Sequence, residues 1–251
     1  MQRLTSLLIW AAIILLIIAW LPLLALIRLF DRSEERYQTG RWFRKLGLAI
    51  SRVNPNWNVA LEGHESIDDR NPYVVVGNHL SNADIPLISN LPWEMKWVAK
   101  RELFKLPLVG TLMKLAGDIP VDRSTTAQKV STFKKCVWYL DRSCSVMFFP
   151  EGTRSRDGRV RSFSRGAFDL AIREKIPILP LVVDGTQGCL PKNSWVFQPD
   201  VYVKLKVLDP VPTDQYEPAD SEKLAGEVRD RIISQLMEWR GLPREEVDGV
   251  L

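Results

Sequence analysis

The chain opens on its longest apolar run. From Leu4 to Ile27, LTSLLIWAAIILLIIAWLPLLALI, no residue is charged. At about 1.5 Å of rise per residue, a helix of that length matches a hydrocarbon core of roughly 30 Å. The run continues into LIRLFDR instead of the small residues that precede a leader's cleavage point, and it is too long for a leader's apolar part. It reads as a membrane helix, either crossing the bilayer or turned back at Pro22, since proline interrupts the helical ladder. Further on, Trp42, Phe43, Leu46, Ile50 and Val53 recur at helical spacing, with Arg41, Arg44, Lys45 and Arg52 between them. This suits an interfacial amphipathic helix or an ordinary helix packed on a core, because periodicity does not name what the apolar side touches.

After residue 55 the pattern changes to short apolar runs alternating with longer helical ones. The runs Trp57 to Leu61, Tyr73 to Val76, Met95 to Val98, Ile119 to Val121, Val146 to Phe149, Ile178 to Val183 and Tyr202 to Val207 predict strands. Leu103 to Ala116, Thr126 to Leu140, Gly166 to Lys175 and Ser221 to Trp239 predict helices. The alternation implies an α/β fold, a mostly parallel mixed sheet of about seven strands flanked by helices. Val203, Leu205 and Val207 alternate cleanly with polar residues, which suits an edge strand. The expected organisation is a membrane anchor and interfacial helix over 1–54, then a single domain over 55–251.

Charge refines the location. Arg28, Arg32, Arg36, Arg41, Arg44 and Lys45 follow the apolar run, and Arg3 alone precedes it. By the positive-inside rule the main domain lies on the cytoplasmic face. A net charge of +4 fits phosphate or anionic lipid and gives no reason to expect nucleic acid. Cys136, Cys144 and Cys189 are odd in number, scattered and free of any CxxC, so neither a disulfide framework nor a zinc site is suggested. His64 has no partner at ligand spacing, and no metal is expected.

Polar clusters follow three predicted strands directly: Gly77-Asn-His, Asp122-Arg123, and Phe149-Pro-Glu-Gly-Thr-Arg-Ser155. Ligands of parallel sheets sit beyond the carboxyl ends of the strands, so these exits can share one cleft. His79 is a natural general base near neutral pH, and Asp84 can orient its ring, although the same pair also suits a turn and a helix start. Glu151 offers a hydroxyl acceptor, Gly152 a close backbone approach, and Arg154 a planar fork for phosphate, with Arg123 as a second cation. No GxSxG elbow is present, so direct attack by a substrate alcohol needs fewer assumptions than a covalent intermediate. The arginines at 156, 159, 161 and 165 read as a solvated loop or an anionic-lipid contact.

NHLSNAD, from Asn78 to Asp84, resembles the NHxxxxD block of the glycerolipid acyltransferases, and FPEGTRS, from Phe149 to Ser155, resembles their third block. Lys100-Arg-Glu-Leu with Pro107 and Gly110, Gly117 to Arg123, and Ile176-Pro-Ile-Leu-Pro-Leu181 resemble the intermediate and fourth blocks in the same order. The resemblance covers roughly residues 40 to 215 and is nearest to the 1-acylglycerol-3-phosphate acyltransferases. It implies that His79, oriented by Asp84, deprotonates the sn-2 hydroxyl of a lysophosphatidic acid acceptor. That oxygen then attacks an acyl thioester of CoA or acyl-carrier protein to give phosphatidic acid. It also implies that Arg123, Glu151 and Arg154 hold the glycerol phosphate, with Gly152 and Thr153 completing the loop, and that no cofactor is needed. Another lysophospholipid or lyso-aminolipid is the alternative acceptor. Oligomeric state is left open.

Overall fold

The strands form because their side chains have two apolar layers to enter. In the computed structural model, which describes residues 2–55, 57–122, 125–190 and 194–250, seven strands make one sheet. They are β1 (Trp57–Glu62), β2 (Val74–Gly77), β3 (Met95–Lys100), β4 (Ile119–Val121), β5 (Ser145–Phe148), β6 (Ile178–Asp184) and β7 (Val201–Val207), in the order β1-β7-β6-β2-β5-β3-β4. Every neighbouring pair is parallel except β6 with β7. Val74, Val76, Val146, Ile178 and Val182 enter one apolar layer, while Val75, Met147, Leu179, Leu181 and Val183 enter the other. Helices on both faces therefore turn the usual polar-apolar alternation into continuous apolar runs.

The helices are α1 (Gln2–Phe30), α2 (Tyr37–Val53), α3 (Asp84–Ile88), α4 (Val109–Ala116), α5 (Thr126–Leu140), α6 (Gly166–Glu174), α7 (Thr186–Cys189), α8 (Ser221–Arg240) and α9 (Arg244–Val247). Residues of α5, α6 and α8, among them Tyr139, Phe168, Val228 and Ile232, cover the first layer, and Leu87 and Ile88 of α3 join the second. Two sequence expectations need correction. Leu103 to Ala116 is not one helix: a 3-10 turn over Arg101–Lys105 ends before Pro107, and α4 restarts after Leu108, which is held at φ 60°. Proline supplies no N–H and forces the preceding residue into extended backbone. The restarted helix packs so closely that a side chain at Gly110 would meet the Phe104 carbonyl. Second, β7 is not an edge strand but lies between β1 and β6. Its alternation reports a difference between faces: Val203, Leu205 and Val207 are buried, while Tyr202 on the other face is exposed.

The N-terminal helices are tied to the domain along their length. α1 is continuous through Pro22, so the turn back occurs after it, at α2. Near its start, Gln2 Nε2 donates to the Phe197 carbonyl at 3.1 Å, and Ser6 Oγ accepts from the Phe197 amide at 3.0 Å. Trp10 Nε1 donates to the Trp195 carbonyl at 2.8 Å. Farther along, Leu24 is fully buried with Leu46 of α2 and Leu112 of α4. The opposite side of α1 exposes Leu4, Leu8, Leu15, Leu26, Leu29 and Phe30. α2 packs on its neighbours: Leu46 is buried, and Trp42, Phe43 and Ile50 pack beside it between α1 and α4.

Arg44 departs from the polar side that its spacing suggested. It is buried and pairs with Asp118, the residue before β4, and with Glu94 at 3.4 Å. Lys96 of β3, also fully buried, donates to Glu94 at 2.9 Å, to the Ala116 carbonyl at 2.8 Å and to the Arg36 carbonyl at 3.1 Å. Asp118 Oδ1 additionally accepts from the Trp97 amide at 3.1 Å. Two cations and two carboxylates thus neutralise one another beneath the helical hairpin. Burial nevertheless pushes the Glu94 carboxyl above its ordinary range, against the pull of Lys96 and Arg44.

Candidate active site

β2 ends at Gly77, and the chain beyond it is fixed by Asn78. Its fully buried amide donates to the Val183 carbonyl at 2.8 Å and accepts from the Val183 amide at 2.9 Å, bracketing β6. His79 through Ala83 then make the turn into α3, whose first residue is Asp84. The carboxylate of Asp84 folds back over this turn: Oδ2 accepts from the Leu80 amide at 2.8 Å and the Ser81 amide at 3.0 Å. The same oxygen lies 2.6 Å from His79 Nδ1. Asp84 therefore organises the turn and holds the imidazole at once. Because an ionised carboxylate can only accept, Nδ1 carries the proton, and Nε2 is left as the basic nitrogen.

The FPEGTRS loop leaves β5, the strand beside β2, and closes on His79 from the other side. The Phe149 ring stacks on the imidazole with centroids 4.0 Å apart and planes 13° apart, and the Trp97 ring lies 5.8 Å from Phe149. Glu151 Oε1 accepts from the His79 amide at 2.8 Å, and the Ser155 amide donates to the His79 carbonyl at 2.7 Å. Both main-chain polar groups of His79 are thus held by the second motif. Gly152, at φ 71°, makes the intervening turn. Glu151 Oε2 accepts from the Arg161 amide at 3.2 Å. The following basic loop is held in turn by Arg229 of α8, which donates to the Arg161 carbonyl at 2.9 Å and the Val160 carbonyl at 2.8 Å.

The structure therefore joins three of the residues singled out from sequence, His79, Asp84 and Glu151, through two of the strand exits. Glu151 meets main-chain amides that tie the two loops together, a partner type invisible in a one-dimensional motif. Burial raises its carboxyl to about 7, offset in part by those amides and reinforced by the nearby Asp84 charge. Thr153 and Arg154 are exposed on the same loop, and Arg154 makes no ion pair among the described residues. Arg123 lies outside the described residues; its neighbour Asp122 pairs with Arg101 at 3.3 Å.

Sequence reading missed Phe149 as a ring partner, although the motif contains it, and missed Thr186. The Thr186 hydroxyl, from α7, donates to Oδ1 of Asp84. Cys189 is close enough to sense the Asp84 charge, yet burial pushes its thiol up to about 12, so no thiolate is offered there. Among the described residues no group of three or more histidine, cysteine or acidic side chains is arranged to hold a metal ion. A neutral imidazole with one nitrogen anchored on a carboxylate is equipped to take a proton from a hydroxyl and pass it to a leaving group.

Fold and geometry agree with sequence comparison. The family model described as Acyltransferase matches residues 58–184, half of the chain, and the chain belongs to that family. Among its relatives, the chain is similar to 1-acyl-sn-glycerol-3-phosphate acyltransferase alpha of Homo sapiens, with 35% identity over 72% of this chain and 64% of the relative. It is also similar to the chloroplastic 1-acyl-sn-glycerol-3-phosphate acyltransferase BAT2 of Brassica napus, with 34% identity over 66% of this chain and 48% of the relative. The chain thus spans about half the length of the plant relative it matches. The crystal structure of the 1-acyl-sn-glycerophosphate acyltransferase PlsC from Thermotoga maritima superposes with a TM-score of 0.77 at 27% identity, covering 94% of this chain and 95% of that one.

Proposed function

We propose that the protein transfers an acyl chain from acyl-CoA or acyl-carrier protein to the sn-2 hydroxyl of 1-acylglycerol-3-phosphate, forming phosphatidic acid. The observation that carries this reading is the His79–Asp84 pair at the mouth of β2, clasped by the FPEGTRS loop. Nε2 of His79 removes the hydroxyl proton as the oxygen attacks the thioester carbonyl; the proton then passes to the departing thiolate. Asp84 stabilises the imidazolium between those events. Glu151 keeps the two loops in register. Arg154 and Thr153, exposed on the loop, and Arg123 are suited to the acceptor phosphate, to which a guanidinium gives paired hydrogen bonds.

Membrane association belongs to this reading, in monotopic form. The N-terminal end of α1 reaches Phe197 of the domain, and its middle packs on α2 and α4. A helix attached to one body in this way lies along the bilayer surface with its exposed leucines in the acyl region, instead of crossing. The cations that follow α1 favour the anionic cytoplasmic leaflet.

Purified protein in mixed micelles, supplied with acyl-CoA or acyl-carrier protein thioester and a panel of lysolipids, tests the assignment. Phosphatidic acid formed fastest from lysophosphatidic acid is the expected result. Equal use of other lysophospholipids would move the assignment to the alternative acceptor, and thiol release without acceptor would show a hydrolase.

A further inference from the structure

Asp84 is completely buried, and its two oxygens are supported unequally. Oδ2 is shared by His79 Nδ1 and the amides of Leu80 and Ser81, all from one turn. Oδ1 is met by Thr186, which lies 102 residues away in sequence at the exit of β6. That side chain is itself completely buried. Its approach is set by the backbone: Gly185 sits at φ 79°, so close to the Tyr202 carbonyl that no side chain fits, and the turn delivers Thr186 directly toward α3. Of the titratable groups around it, Cys189 and Glu151 feel the Asp84 charge, and burial raises the pKa of both.

A carboxylate held at one oxygen only can swing about its Cβ–Cγ bond or draw the proton from its neighbour. Held at both oxygens, it keeps a fixed plane, and a hydrogen bond to the charged form preserves the anion against burial. We propose that Thr186 is a positioning residue of the acyl transfer, its hydroxyl fixing the carboxylate that orients His79. The inference rests on the reading of His79 as base. Because groups beyond the directly reacting ones commonly set activity by one to two orders of magnitude, the hydroxyl is expected to matter on that scale.

The test compares Thr186→Val, nearly isosteric and without a donor, with Thr186→Ser, which restores the donor, in the full-length protein with lysophosphatidic acid and acyl-CoA in mixed micelles. Expected for valine are a kcat lowered roughly 10- to 100-fold, KM values for both substrates within about two-fold, and an acid limb of the kcat–pH profile moved to higher pH. The last follows because a carboxylate stripped of a donor binds the proton of the pair more tightly. Serine is expected within about five-fold of the parent. Thr186→Ala, which removes the donor without adding bulk, decides the matter if valine disturbs folding. Unchanged kcat and pH profile in the folded valine or alanine protein overturn the inference, as does an equal loss in the serine variant. Full activity in His79→Ala would instead overturn the base assignment on which it rests.

Discussion

Two buried charge clusters differ in what they leave unspent. Beneath the N-terminal hairpin, Arg44, Glu94, Lys96 and Asp118 pair with one another, and the lysine's other hydrogen bonds go to main-chain carbonyls. At the mouth of β2, Asp84 is just as deeply buried and receives several donors, but its imidazole partner keeps one nitrogen that bonds to nothing among the described residues. The first arrangement fastens a helix to a sheet; the second holds a base in place while leaving it reactive. Buried charge alone is therefore no sign of catalysis here, whereas an anchored ring with an uncommitted nitrogen is.

Substitutions can separate the two. His79→Ala is expected to lower kcat by about 10²- to 10⁴-fold with the denaturation midpoint little changed, as steady-state kinetics and urea titration of the same preparation would show. Arg44→Ala is expected to do the reverse. It leaves Asp118 and Glu94 short of a cation in a buried site, at a cost of about 3–5 kcal/mol in denaturant-derived stability. Loss of activity in that variant without loss of stability would contradict the division of labour drawn here.

Glu151 sharpens the contrast, because it is a half-buried acid with no cationic side chain paired to it among the described residues. Its folded pKa, raised to about 7, lies above the ordinary carboxyl value of 4.5, so the folded protein holds this proton longer than the unfolded chain. The associated stability is present below pH 4.5, falls as pH rises, and is gone above about 7, an amplitude of at most about 3 kcal/mol. Glu151→Gln is expected to flatten that part of the stability profile between pH 4.5 and 7, measured by denaturation at several pH values. A profile unaltered by the substitution would place the titration elsewhere.

Much of this was legible in the chain because a parallel sheet covered on both faces demands apolar runs, and Val74 to Val76 or Ile178 to Val183 have few other uses. His79 and Asp84 were legible because their interaction spans a single turn. The remainder depends on partners that spacing does not encode. Glu151 binds amides, which every residue but proline possesses. Thr186 meets Asp84 only once β6 lies beside β2, and Arg44 turns inward because Glu94 and Asp118, just ahead of β3 and β4, are brought beneath it from far along the chain. The break after Lys105 was written in Pro107, but the apolar periodicity across it outweighed that single residue.

The seating of α1 on Phe197 also has a consequence for how the protein is made. The 195 residues between Gln2 and its partner take roughly 10–40 s to synthesise at about 5–20 residues per second. During that interval the helix is finished and its docking site does not yet exist. Its leucines, and also Ile9 and Ile13, which later face Phe197, then have only lipid or a chaperone to shield them from water. On the monotopic reading proposed above, a bilayer supplies that shield before the protein's own core can, and the docking of α1 on the domain comes late in folding.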